Sequence, residues 1–387
     1  IFLYSFPLFF LLLLWVHYIL WSVLFHQYNI KIHFAYRTFK WSNEAKGNAA
    51  VHCVIIGFAN FDTLKKSIFE FQDIKGEPHE IKVKNINPYL VDAKDILIIK
   101  RSSPICNVPE ISFGSMPNDG GNFLLTDDEK NNLLDLEPEA AIFIRPLISA
   151  DEFINGTNRW CLWLKDANPS VLKNLKNVSN RISNVQKIRS DSKRPSTRKL
   201  ANFPTLFGED RQPNSNYILI PSTTSENRNY IPMSIFDGFN IANNSCHIIP
   251  DANIFHFGVL TSKMHMAWVK TVCGRLESRY RYSSNIVYNN FPWPETPTDK
   301  QIKAIETAAQ KVLDTRAQFP NSSLADLYDP LTMPPPLVKA HNELDKAVDL
   351  AYRPQPFTSE ANRMEFLFDL YEKYTATIFT KPKKSKK

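Results

Sequence analysis

KIHFAYRTFKWSNEAKGNAAVHCVIIGFA, residues 31–59, decides the fold. From Lys31 to Trp41 aromatic or apolar residues alternate with polar ones, the period of a strand with one wet face. From Ala50 to Ala59 the run is nearly continuous and rich in β-branched residues, which predicts a strand buried on both faces. The polar SNEAKGN between them is turn-forming, so the pair reads as a β-hairpin.

Strand-like pieces continue over 81–90 and in DILIIKR, 95–101. VPEISFGSMPNDGGN is then a loop system, in which Asn118 to Gly121 form a tight turn. TDDEKNNLLDLEPEA opens a helix, with Thr126 as its cap. NRWCLWL is a strand, and NPSVLKNLKNVSNRISNVQKIRSDSK reads as one amphipathic helix capped at NPS. YILIPS, NYIPM, CHIIP and IFHFGVL read as short strands, and LTSKMHMAWVKTVCGRL as a helix. After YNNFPWPETP the composition turns helical, which places a boundary near 290–297.

The chain has 387 residues, enough for two or three domains, and a net charge of +7. Its tail KPKKSKK supplies five lysines, so the remainder is only slightly positive and total charge alone does not argue for a polyanion partner. The five cysteines are far apart without a C-x-x-C pair, which predicts buried, reduced thiols. The histidines show no metal-ligand spacing, so no metal is expected. The first residue is Ile1, and a fragment or processed product is expected. Residues 1–25 carry no side chain charged at neutral pH apart from any protonated His17, a length able to cross a bilayer, but without the features of a signal peptide.

Three windows invite chemistry. NINPYL, residues 85–90, falls one proline short of the Asn-Pro-Pro-aromatic loop with which amino-methylating DNA methyltransferases grip a base. The segment before it is charged and alternating, with no glycine-rich turn ahead, so a strand-ending turn is expected. VQKIRSDSKRPSTRK holds Lys193, Arg194, Arg198 and Lys199, a solvated helix end or a phosphate-contacting segment. RLESRYRYSSNIVYNN puts Arg275, Glu277, Arg279 and Arg281 at alternate positions, one face of an extended chain. That face is either a salt-bridged surface or a reader of base edges, since Arg pairs with guanine and Glu accepts from cytosine.

These blocks, with NPYLVDAKD, FGSMPNDGGN, EFINGTNRWCLWL, SKRPSTRKLANFPTLFGE, RYSSNIVYNNFPWPE and LADLYDPLTMPPPLVKAHNELDKAVD, resemble the MmeI-like enzymes in order and over nearly the whole chain. Those are fused type IIL/IIG restriction–modification proteins with an S-adenosylmethionine-dependent, adenine-specific DNA methyltransferase core. The resemblance implies an α+β chain: the end of a Rossmann-like methyltransferase sheet, a mixed α/β target-recognition domain, then a small helical C-terminal domain. The implied divisions are 25–81, 82–294 and 295–380, with 1–24 an anomalous hydrophobic segment and 381–387 a basic tail. It further implies double-stranded DNA as partner, a bacterial cytoplasmic location, base reading by Glu277, Arg279 and Arg281, and phosphate contact by Lys193, Arg194, Arg198 and Lys199. The cofactor turn and the true catalytic loop are not in this sequence, so no catalysis is expected of the piece alone. Residues 1–24 depart from the family, and a shifted reading frame is the expectation there, with a membrane anchor as the lesser one. A stand-alone specificity module without catalysis, or a membrane-anchored protein, are the alternatives.

Overall fold

The computed structural model describes residues 19–41, 51–71, 76–276 and 278–379. Most of the hydrophobic segment (1–18), the hairpin turn, Glu277 and the basic tail lie outside the described residues. The fold is α+β, with four small sheets and a helical end.

The expected hairpin is present: Lys31–Trp41 pairs antiparallel with Val51–Ala59, from Lys31 opposite Ala59 to Trp41 opposite Val51. Lys66–Phe71 joins parallel to the first strand and Pro78–Val83 closes antiparallel to it, giving the order Val51–Ala59, Lys31–Trp41, Lys66–Phe71, Pro78–Val83. Residues 19–26 are helical, and Trp21 packs with Ile32, Ala35, Ile68, Ile86 and Leu90 in one small core. Val51–Ala59 is not buried on both faces as its composition suggested. It is the outer strand, and Val54, Ile55 and Phe58 are exposed because no described element covers them.

Other departures have local causes. DILIIKR forms no strand: its backbone groups are taken by side chains and loops instead. Ile98 N–H donates to the Tyr89 hydroxyl (2.9 Å), Asn290 Nδ2 donates to Ile99 O (2.9 Å), and Asn289 Nδ2 donates to Arg101 O (2.9 Å). The amphipathic helix is two helices, Pro169–Asn174 and Lys176–Ser190. Leu175 turns into the core between them, and the buried Glu137 carboxylate caps the second from afar, accepting from Asn177 N (2.6 Å) and Val178 N (3.3 Å). IFHFGVL is a helix, Ile254–Leu260, not a strand, because Asn253 and His256 close a reciprocal cap at its start. In NYIPM the residues after the exposed Asn229 are buried but form no strand. The Thr126 cap forms as expected, its hydroxyl accepting from Glu129 N (3.2 Å).

Two cores follow. The smaller gathers Phe123, Leu133, Leu147, Leu162, Val185 and Phe207 around the sheet Ile241–Ala242, Ile144–Ile148, Trp160–Leu162, Leu124–Leu125. The larger runs without interruption from Val91 through Ile220 and Trp268 to Leu344 and Tyr371. It therefore crosses the compositional boundary near 290–297. NNFPWP, where the boundary was expected, is buried throughout. Its carbonyls are met by tyrosine hydroxyls: Tyr352 donates to Pro292 O (3.0 Å) and Tyr374 to Trp293 O (2.9 Å). Asn290 accepts from Arg101 Nε (3.0 Å) and donates to the carbonyls of Ile99, Asn285 and Ile286 (2.9, 2.9 and 3.1 Å).

The larger core also holds His247, His265 and His341, each fully buried. His265 meets the Tyr282 hydroxyl (3.0 Å), His341 the Tyr328 hydroxyl (2.9 Å) and His247 the Tyr282 carbonyl (3.1 Å). Burial holds them far below the ordinary 6.5, to about 4 for His247 and about 3 for the other two. The unfolded chain thus takes up these three protons first on acidification. Their stabilising contribution is whole above about pH 6.5 and is lost as pH falls towards 4, by about 1.4 kcal/mol per pH unit per group. The buried Asp345 carboxyl shifts the other way, raised from 3.8 by burial, so the folded chain binds that proton first and offsets part of the loss. The urea midpoint should accordingly drop steadily between pH 7 and pH 5; a level midpoint across that range would mean these imidazoles are not held neutral.

Candidate nucleic-acid interface

NINPYL is a closed turn. Asn87 is fully buried, and its Oδ1 accepts from Tyr89 N (3.0 Å) and Val91 N (3.2 Å). Leu90 takes the left-handed conformation (φ +57), and its carbonyl accepts Arg37 Nε and Nη2 (3.1 and 3.0 Å). Tyr89 packs on Phe368 at 5.5 Å between ring centres, and burial raises its hydroxyl well above the usual value. With the Asn oxygen spent on the turn and the aromatic ring inside, nothing here can grip an extruded base.

The strand carrying the alternating arginines begins where helix Lys263–Val272 ends at Cys273, which turns extended. Gly274–Leu276 pairs with Arg279–Arg281, and Thr223–Thr224 adds a third strand on the far side. The register sets Arg275 opposite Tyr280 and Leu276 opposite Arg279, so the chain reverses across residues 277 and 278. Opposed residues share a face. The single-face stripe expected from the spacing is therefore broken: Arg275 lies with Tyr280, its guanidinium 3.8 Å above that ring and donating to Ser278 O (3.0 Å). Arg279 and Arg281 face outward, Arg281 donating to Thr223 Oγ1 (2.8 Å). Tyr280 and Tyr282 point inward and root the strand in the larger core, where burial raises both hydroxyls. Glu277, the third base-reading candidate, lies outside the described residues.

The second group sits on the smaller core. Lys193, Arg194, Arg198 and Lys199 are all exposed around the short helix Pro195–Lys199, and none forms an ion pair among the described residues. Arg198 Nη1 donates to Ser192 O (2.8 Å) and Lys193 O (3.1 Å), which folds the segment on itself. Arg189, from the same basic stretch, behaves differently: it is 0% exposed. Its Nε donates to Asn118 O (3.0 Å), Nη1 to Leu200 O (3.3 Å) and Phe203 O (2.9 Å), and Nη2 to Pro117 O (2.9 Å) and Leu206 O (2.7 Å). Burial lowers this guanidinium from its ordinary value, opposed by the nearby Asp119 carboxylate. Asn118, Gly120 and Gly121 take positive φ (+48, +63, +85), and Asp119 accepts from Gly121 N (3.1 Å) and Phe123 N (2.5 Å), so this is the tight turn expected.

A cleft of about 990 Å³ has walls from separate segments, which no local pattern brings together. Arg37 and Glu70 of the first sheet, Lys270 of helix Lys263–Val272, Arg275 and Tyr280 of the arginine hairpin, and Glu360 of the last helix line it. Lys270 and Glu360 pair at 2.7 Å and Arg37 and Glu70 at 2.5 Å. Among the described residues no three His, Cys, Asp or Glu are grouped to hold a metal, and no helix is long and apolar enough to cross a membrane.

A partial sheet leads into a region with outward arginines, closed by helices that share its larger core. Residues 92–295 match the MmeI target recognition domain, 297–379 the MmeI C-terminal domain and 16–70 the MmeI DNA-methyltransferase domain. The chain belongs to the MmeI family. It is 43% identical over 357 residues to "DNA methyltransferase A" of Bacillus subtilis (strain 168), which covers 92% of this chain and 40% of that protein. It is similar to the structure of the type IIL restriction–modification enzyme MmeI in complex with DNA, at 49% identity and a TM-score of 0.83, over 93% of this chain and 48% of that one. The chain thus spans less than half the length of either relative.

Arg189 supplies a direct test of the interface scaffold. Arg189→Met removes a donor from five carbonyls, of which those of Leu200, Phe203 and Pro117 keep a backbone N–H and those of Asn118 and Leu206 lose their described partner, so it should lower unfolding free energy by about 2–6 kcal/mol at 1–3 kcal/mol per unsatisfied group. Limited proteolysis should then cut first within 191–206. A parental urea midpoint with unchanged cleavage would show that water replaces the guanidinium at no cost.

Proposed function

We propose that this chain is the target-recognition and C-terminal part of a site-specific adenine-N6 DNA methyltransferase of a restriction–modification system, and that it binds duplex DNA sequence-specifically in the bacterial cytoplasm. The observation that carries this reading is the outward face of strand Arg279–Arg281, whose inward face is fixed in the core by Tyr280 and Tyr282. A rigid strand with projecting guanidiniums suits the major groove, where arginine pairs with guanine O6 and N7. In this reading Arg279 and Arg281, together with Glu277, read base edges. Lys193, Arg194, Arg198 and Lys199 hold phosphates and fix the register.

S-adenosyl-L-methionine is the methyl donor this family membership implies, and the described methyltransferase strands do not fit it. Gly57 is the single glycine among the described residues 19–71, and the Phe34 ring fills the space beside it, while the Glu70 carboxylate is engaged by Arg37. The described strands therefore offer no glycine-rich turn to hold a nucleoside or an amino acid.

Two substitutions separate the roles. Arg279→Ala should cost about 1–3 kcal/mol on the preferred duplex and relax choice at one base pair, read by selection from a randomised duplex pool. If the selected sequences stay the same, Arg279 does not read bases. Lys199→Ala should instead weaken binding to all sequences alike and reduce the slope of log K against log salt by about one. An unaltered slope would remove Lys199 from the phosphate contacts.

A further inference from the structure

Phe203 is 60% exposed, whereas Phe207, four residues on, is 7% exposed, stacked on Phe123 and edge-on to Trp163 (centroids 6.1 and 4.9 Å). One exposed phenylalanine is ordinary on a protein surface. Two features set this one apart. Its backbone is pinned: Phe203 N donates to Leu200 O (3.0 Å), and Phe203 O accepts from Leu206 N (3.2 Å) and from Arg189 Nη1 (2.9 Å). The buried guanidinium also holds the carbonyls of Leu200 and Leu206 on either side. With Phe207 locked in the core and three carbonyls of the segment held from beneath, the backbone cannot roll to bury the Phe203 ring.

The second feature is its company. Helical residues run on from Pro195–Lys199 through Leu200–Asn202, so Lys199 precedes Phe203 by one turn. Lys193, Arg194 and Arg198 lie on the same short segment, exposed and without acidic partners among the described residues. A purely apolar partner would have to bury these cations, which is costly. Duplex DNA offers both halves of the complement: phosphates for the cations, and sugar and base faces between them for the ring.

We propose that Phe203 is an apolar DNA contact, a rigid wedge presented to the groove between the phosphates engaged by Lys193, Arg194, Arg198 and Lys199. This rests on the reading that the basic segment faces DNA. It adds a contact that charge does not supply, set by Arg189 from below.

The test compares the whole chain with its Phe203→Ala, Phe203→Trp and Lys199→Ala variants on a mixed-sequence duplex over a range of salt. Phe203→Ala should weaken binding about five-fold or more at every salt concentration, as loss of an aromatic–base contact does, with the salt slope unchanged. Phe203→Trp should bind like the parent. Because the ring is exposed, the urea midpoints should agree, and Phe203→Leu replaces Phe203→Ala if they do not. Parental affinity for Phe203→Ala overturns the wedge, as does a reduced slope, which would make its effect electrostatic. If Lys199→Ala also leaves the slope untouched, the phosphate reading fails with it; if Lys199→Ala lowers the slope while Phe203→Ala does nothing, the wedge alone fails.

Discussion

One buried guanidinium governs the basic segment around residues 193–199. Arg189 has five N–H donors and spends its hydrogen bonds on five backbone carbonyls, with no carboxylate in contact. Taking an unpaired charge out of water is expensive, and here carbonyl dipoles aimed at one plane offset the cost. The return is geometric. The end of helix Lys176–Ser190, the Pro117–Asn118 turn and the carbonyls of Leu200, Phe203 and Leu206 are fixed to a single planar group. The exposed cations between residues 193 and 199 therefore sit on a rigid base rather than on a loop, and the entropy of ordering them is already met before any ligand arrives.

The larger core solves a different problem, holding the arginine strand in place from behind. Helices Lys263–Val272, Pro335–Tyr352 and Glu360–Phe379 pack into the same apolar cluster as the buried Tyr280 and Tyr282. Each large side chain buried there contributes about 1.5–3 kcal/mol. The Asn290 hub and the tyrosine hydroxyls then satisfy backbone that proline and irregular geometry leave outside any ladder. The arginine hairpin has only three residues in each strand and would be marginal alone. It is rigid because its inner face belongs to a core assembled from distant parts of the chain.

Much of this was legible in the sequence. Alternation and β-branched runs gave the hairpin, caps such as Thr126 gave helix starts, and NINPYL was an ordinary turn by its flanks. What failed has a common cause in contacts between residues far apart in the chain. Arg189 looks like Lys187 and Lys193 in composition, and only three-dimensional packing shows that it faces inward. The alternation of Arg275 with Arg279 and Arg281 spelled one face, and the reversal at 277–278 put Arg275 on the other. Val51–Ala59 has an interior strand's composition but an edge position. NNFPWP has the composition of a linker, because local rules count prolines and cannot see the hydroxyls that Tyr352 and Tyr374 deliver from later helices.

That buried NNFPWP segment also constrains how specificities can be exchanged between relatives. The boundary at residues 295–297 looks like the natural seam for a crossover, since two family domains meet there. A crossover at that seam would join halves of one core from different parents, with tyrosines of one lineage facing carbonyls of another. The small recognition hairpin can change its outward residues without disturbing any of those partners. With base reading at the outward positions as proposed, variation in target choice is channelled into point substitution there, and the helical end must travel with the region that shares its core.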